Sequence, residues 1–158
     1  MGTINIIERD MTPSEVKRMN AGFNENTIDN GVIPQGNQRF GYVAMDGENF
    51  IGCVSGLAYK NGEQFNGWCY LTDLFVEKEY RQQGIGAKLL SNLENILLQS
   101  GIDKVWTWTA GYEAPKFYIK QGYEIFAEME NWYSSGDSQV GLRKKLMANN
   151  EFGGQSSR

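Results

Sequence analysis

The run Arg81-Gln82-Gln83-Gly84-Ile85-Gly86-Ala87 sets an arginine and two glycines between a strand-like segment and a helix-like one. A glycine-bearing loop that opens a helix aims several free backbone N–H groups at one point, and the helix dipole adds partial positive charge there. Such a place suits a phosphate or pyrophosphate. Gly84 and Gly86 would let a ligand approach the backbone where a Cβ would obstruct it. Two other phosphate motifs fail. The chain has no Gly-x-x-x-x-Gly-Lys-Ser/Thr, and Gly84 and Gly86 are followed by Lys88 and Leu89 without the third glycine of a dinucleotide fingerprint.

The absence of histidine narrows the chemistry further. It excludes Ser-His-Asp and Cys-His nucleophile systems, histidine bases and histidine-ligated metals. Cys53 and Cys69 are too few for a zinc site, so no metal is expected. They lie on adjacent expected strands about equidistant from Asn61-Gly62, where they could face each other across a hairpin. In a reducing compartment, buried free thiols are expected in place of a disulfide. A net charge of −4 argues against a nucleic-acid partner and mildly favours a cationic one. There is no apolar run of membrane-spanning length and no signal-peptide pattern, which predicts a cytoplasmic protein without a membrane partner.

The elements that must position this loop follow from periodicity and turn residues. One domain is expected over 1–148, with a frayed polar tail at 149–158. A first strand is expected at 3–8. Thr12-Pro13-Ser14-Glu15 then has capping-box spacing, opening a helix with a stripe of Val16, Met19 and Phe23 that ends before Asn30-Gly31. Residues 31–38 read as a polar loop. Strands at 39–44, 50–59 and up to Val76, joined at Asp46-Gly47 and Asn61-Gly62, make an antiparallel meander. Ile85, Leu89, Leu90, Leu93, Ile96 and Leu97 form the stripe of a helix over 84–100 that Gly101 stops. That helix crosses over to a parallel strand at 104–110. A short helix near 113–121 and strands at 123–132 and 139–147 complete the pattern. The fold class is mixed α/β of the α+β type: a mostly antiparallel sheet of six to seven strands flanked by helices.

Arg-x-x-Gly-x-Gly after a strand ending in Leu74-Phe75-Val76 resembles the signature of the GNAT (GCN5-related N-acetyltransferase) superfamily, which holds the pyrophosphate of acetyl-coenzyme A. Ala114-Pro115-Lys116-Phe117-Tyr118-Ile119-Lys120-Gln121-Gly122-Tyr123 is similar to the family's Ala-x-x-x-Tyr-x-x-x-Gly-Phe/Tyr element, in the expected order. The resemblance spans residues 39–147 and is closest to uncharacterised bacterial members. It implies a V-shaped split at a parallel strand pair and acetyl-coenzyme A as cosubstrate. The coenzyme would be held by the backbone of Leu74, Phe75 and Val76 and by Arg81, Gln82, Gln83, Gly84, Ile85, Gly86 and Ala87. Tyr118 matches the family's tyrosine and is the candidate general acid for the departing thiolate, a phenol and a thiol having similar pKa values. Asp73 is the candidate base, with Glu77 and Glu113 as alternatives or a water chain in place of any of them. Lys116 or Lys120 could meet the coenzyme's outer phosphate.

The chain departs from the family at two places. Gly111 stands where members often have asparagine, and Ser134-Ser135-Gly136-Asp137-Ser138 replaces a Gly-His near the final strand. Trp106 and Trp108 share one side of a strand and Trp132-Tyr133 precedes the last one. These aromatics read as core packing or as a wall for a cationic or ring-bearing amine. The leading function is acetyl transfer to a primary amine of a small molecule. The alternatives are a protein or peptide N-acetyltransferase and a non-catalytic acyl-coenzyme A-binding module. The resemblance is compatible with a homodimer.

Overall fold

A computed structural model describes residues 2–112 and 115–148. The described chain divides between Gln35 and Gly36 into two units. In the first, α1 spans Pro13–Asp29 behind the expected capping box. Glu15 N–H donates to the Thr12 hydroxyl at 3.3 Å, and Thr12 N–H donates to the Glu15 carboxylate at 2.8 Å. Arg9 binds the same carboxylate at 2.7 Å, and these contacts hold Glu15 down at about 2. The strand expected at 3–8 does not form. Its alternating isoleucines fit a strand, but composition alone does not make one: a strand forms only where its main-chain groups are paired.

The second unit holds β1 (Gln35–Asp46) from its second residue on, β2 (Asn49–Asn61), β3 (Gln64–Val76), α2 (Ile85–Gln99), β4 (Lys104–Ala110), α3 (Pro115–Lys120), β5 (Glu124–Met129) and β6 (Gln139–Lys145). The six strands form one sheet in the order β1-β2-β3-β4-β6-β5. β3 and β4 pair in parallel, whereas β2 with β3, β4 with β6 and β5 with β6 pair antiparallel. Leu89, Leu90, Leu93 and Leu97 of α2 bury against Val54, Ala58, Cys69, Leu71, Val105 and Leu142 of the sheet. The helical stripe thus meets the period-two face of the strands, which is the main apolar burial in the unit.

Several boundaries differ from expectation. β1 begins at Gln35, so the loop before it is shorter than 31–38, and β5 ends at Met129 rather than 132. Asn61 pairs with Gln64, which puts the hairpin turn at Gly62-Glu63. Two register shifts then move the strands further, so Cys53 faces Phe75 and Cys69 faces Ala58. The cysteines do not oppose each other, and both are free. Glu113, Ala114 and the tail at 149–158 lie outside the described residues. No described helix is long and apolar enough to cross a membrane.

Burial pushes the Cys69 thiol up from 9.0 to about 12. Burial beside Glu94, whose carboxylate accepts from the Tyr123 hydroxyl at 2.8 Å, raises that phenol too. Each group holds its proton longer folded than unfolded. Its stabilisation is therefore complete below the unfolded pKa and is lost as pH rises toward the folded one. Urea unfolding should show stability falling by on the order of 1–2 kcal/mol between about pH 8 and about pH 10, and less in Cys69→Ala. Stability that holds or rises over that range contradicts this account.

Candidate active site

The parallel strands separate early. β3 and β4 share only the pairs Trp68↔Lys104, Cys69↔Val105 and Tyr70↔Trp106, although β3 runs on to Val76 and β4 to Ala110. On the far side of β3, Gly56 pairs with Leu71 and Ser55 with Asp73, which leaves Thr72 as an unmatched bulge. The bulge reverses the alternation of the strand. Cys69 and Leu71 face the core before it, and Leu74 and Val76 pack against the core after it, while Asp73 and Phe75 are exposed. At the point of divergence the buried Thr107 hydroxyl donates to the Leu71 carbonyl at 2.9 Å. A side chain here takes over the bond that a neighbouring strand would have made.

Beyond this point lies a cleft of about 300 Å³. Thr72, Asp73 and Leu74 line it from β3, Thr107, Trp108, Thr109 and Ala110 from β4, and Tyr118 from α3. Tyr112 and Tyr133 close one side and meet edge to face at 5.1 Å. The backbone edge of residues 74–76 that faces away from β2 has no strand beside it.

Tyr118 is held by the end of its own helix. Gly122 N–H donates to the Ile119 carbonyl and Tyr123 N–H to the Tyr118 carbonyl, each at 3.0 Å, with Gly122 at φ +93°. This paired closure needs a left-handed residue at Gly122, and it brings Tyr123 back over the helix it has just left. The Tyr118 ring is buried edge-on between Phe117 and Tyr123, with centroids at 5.3 and 5.4 Å.

The glycine loop stands at the open end of β3. Gly84 is the N-cap of α2 at φ +78°, a conformation that side chains rarely adopt, and it supplies no capping side chain. The backbone N–H groups of Ile85, Gly86 and Ala87 consequently have no acceptor among the described residues. Gly86 lies against the Phe117 ring and Val76, at 3.7 to 3.8 Å from where a Cβ would be. Arg81 Nε donates to the Val76 carbonyl at 3.0 Å, which ties the loop to the strand end. Gln82 and Gln83 are exposed, and Gln82 has φ +63°.

The structure therefore brings Asp73, Leu74 and Tyr118 to one cleft and sets residues 81–87 beyond the end of the same strand. Glu77 is not in the cleft wall; its N–H donates to the Ile51 carbonyl at 2.7 Å. Trp106 and Trp108 are not core residues. Val105 and Thr107 are buried, whereas the two indoles are half-buried and meet Tyr70 at 4.3 Å and Phe126 at 5.8 Å. Thr107 and the Thr72 bulge escaped the sequence reading. A threonine within an apolar strand is a weak hint of the first, and nothing in the residue types marks the second.

The model of the Acetyltransferase (GNAT) domain matches residues 37–125. The chain belongs to the GNAT acetyltransferase family. The chain is 30% identical over 105 residues to the catalytic subunit of the N-terminal acetyltransferase B complex of Arabidopsis thaliana, covering 63% of this chain and 58% of that protein. It thus spans a little over half the length of that relative. An acetyltransferase structure from Bacillus cereus shares the fold with a TM-score of 0.72 and 23% identity, over 90% of this chain and 98% of that one. An aminoglycoside 6′-N-acetyltransferase complexed with coenzyme A has a TM-score of 0.58 and 20% identity, over 72% of this chain and 76% of the other.

In this GNAT chain, Gly111 has a steric reason. Its N–H donates to the Ser138 carbonyl at 2.7 Å, and a Cβ would lie 2.9 Å from the same oxygen. Thr107→Val keeps the shape of the GNAT cleft apex but leaves the Leu71 carbonyl buried without a partner. Stability in urea should fall by about 1–3 kcal/mol; an unchanged midpoint would show that Thr107 is not what satisfies the split.

Proposed function

We propose that the chain transfers the acetyl group of acetyl-coenzyme A to a primary amine of a small molecule, by direct attack in a ternary complex. The observation that carries this reading is the single cleft that joins Asp73 and Tyr118 at the divergence of β3 and β4. Its volume, about 300 Å³, is at the lower end of what small-molecule sites use. The loop of Arg81, Gln82, Gln83, Gly84, Ile85, Gly86 and Ala87 takes the pyrophosphate, on the unpartnered N–H groups of the α2 start. The open backbone edge of Leu74, Phe75 and Val76 takes the amides of the pantetheine arm as an added strand.

The chemistry then needs few parts, because the thioester is already activated. Holding the two reactants in attack geometry is the first. Asp73, directly or through a water, accepts the proton that the amine loses as its nitrogen bonds to the carbonyl carbon. A backbone N–H at the oxyanion contributes about 3 kcal/mol. As the carbon–sulfur bond breaks, the Tyr118 hydroxyl donates its proton to the leaving thiolate. The similarity to the plant N-terminal acetyltransferase favours a second reading, in which the acceptor is the N-terminus of a protein.

Tyr118→Phe separates chemistry from binding. Its kcat should fall by about 10² or more while the KM for acetyl-coenzyme A stays within about threefold. An unchanged kcat removes Tyr118 from the proton path. Turnover of peptides but of no small amine by the parent protein would favour the second reading.

A further inference from the structure

Arg39 reaches from β1 across two further strands. Its Nη1 donates to the Ser55 hydroxyl of β2 at 2.8 Å and to the Thr72 hydroxyl of β3 at 3.0 Å. The Thr72 hydroxyl in turn donates to the Ser55 carbonyl at 3.1 Å. Thr72 is the bulged residue of β3, and it lines the cleft immediately before Asp73. The exposed guanidinium is thus fastened to the bulged residue that borders the cleft.

Both partners of Arg39 are uncharged, so they fix its place without neutralising it. Arg9, Arg18 and Arg143 each meet a carboxylate, but among the described residues Arg39 makes no ion pair. Nor does Asp73, although Ser55 is its cross-strand partner. Nη2 and Nε of Arg39 have no acceptor among the described residues. A guanidinium held by one nitrogen keeps a pair of donors whose spacing matches the two oxygens of a carboxylate. The lip therefore presents a fixed cation and a carboxylate at neighbouring positions that do not satisfy each other. On a surface of net charge −4, a locally fixed cation is what allows an anionic group to be accepted.

We infer that Arg39 is a specificity-determining residue that binds a carboxylate of the acceptor, which makes the acceptor an amine that also carries a carboxylate, such as an amino acid. The inference rests on the acetyltransferase reading. In the acceptor complex the carboxylate sits on the free edge of Arg39 while the amine lies toward Asp73 and the thioester. Ser55 and Thr72 are positioning residues that keep the guanidinium from folding onto Asp73.

Matched acceptors test this: lysine against lysinamide and glycine against glycinamide, assayed by thiol release with the parent protein, Arg39→Gln and Arg39→Lys. The parent should prefer the carboxylate member by about tenfold or more in kcat/KM, through KM. Arg39→Gln should lose that preference with kcat and the acetyl-coenzyme A KM each within about threefold of the parent, and Arg39→Lys should keep part of it. A preference that persists in Arg39→Gln, or acceptors used equally well as amides by the parent, overturns the inference. A protein that binds acetyl-coenzyme A but acetylates only amines without a carboxylate also overturns it, and leaves the acetyltransferase reading intact. Failure to bind acetyl-coenzyme A at all overturns that reading instead.

Discussion

Two parallel strands that cease to share hydrogen bonds while still inside a sheet leave main-chain groups that must be satisfied in another way, since an orphaned buried carbonyl costs about as much as a lost hydrogen bond. Here the last shared pair is Tyr70↔Trp106, and the Thr107 hydroxyl closes the gap by donating to the Leu71 carbonyl. Everything at the candidate site follows from that parting. The Thr72 bulge turns Asp73 outward and Leu74 inward, the edge of residues 74–76 is left without a strand, and the cleft opens between the diverging walls.

The surrounding elements hold this opening rigidly by short-range devices. Arg81 fastens the glycine loop to the Val76 carbonyl, which ties the approach to α2 to the end of β3. The closure at Gly122 fixes α3, and with it the buried ring of Tyr118, against Tyr123. Tyr123 is itself anchored by Glu94 of α2, whose other oxygen accepts from Lys144 at 2.9 Å. The helix that offers free N–H groups and the helix that carries the phenol are therefore coupled through one side-chain cluster.

Much of this was legible in the residues because it depends on local rules. The capping box at Thr12, the stripe of α2, the extent of β4 and the stops at Gly101 and Gly122 each follow from periodicity or turn chemistry. The glycine loop and the Tyr118 element were legible as a pair through family resemblance. What escaped depends on pairing between distant segments. Residues 3–8 have strand-like composition but form no strand. The shifts at Ser55/Gly56 and Ala58/Lys60 have no residue signature, and they carry Cys53 and Cys69 away from each other. For Trp106 and Trp108 the residue types left core packing and an aromatic wall both open, and only the register shows that they lie on the face opposite their buried neighbours Val105 and Thr107. The role of Arg39 needs three strands in register before it exists at all.

The central claim is that one ligand bridges the open edge of β3 and the start of α2. Amide hydrogen exchange of the whole protein, with and without saturating acetyl-coenzyme A, tests it most directly. The account predicts slowed exchange at residues 74–76 and at 84–88 together, with the strands β5 and β6 unchanged. Binding that leaves both segments exchanging as before, or that protects only a different part of the sheet, would contradict it.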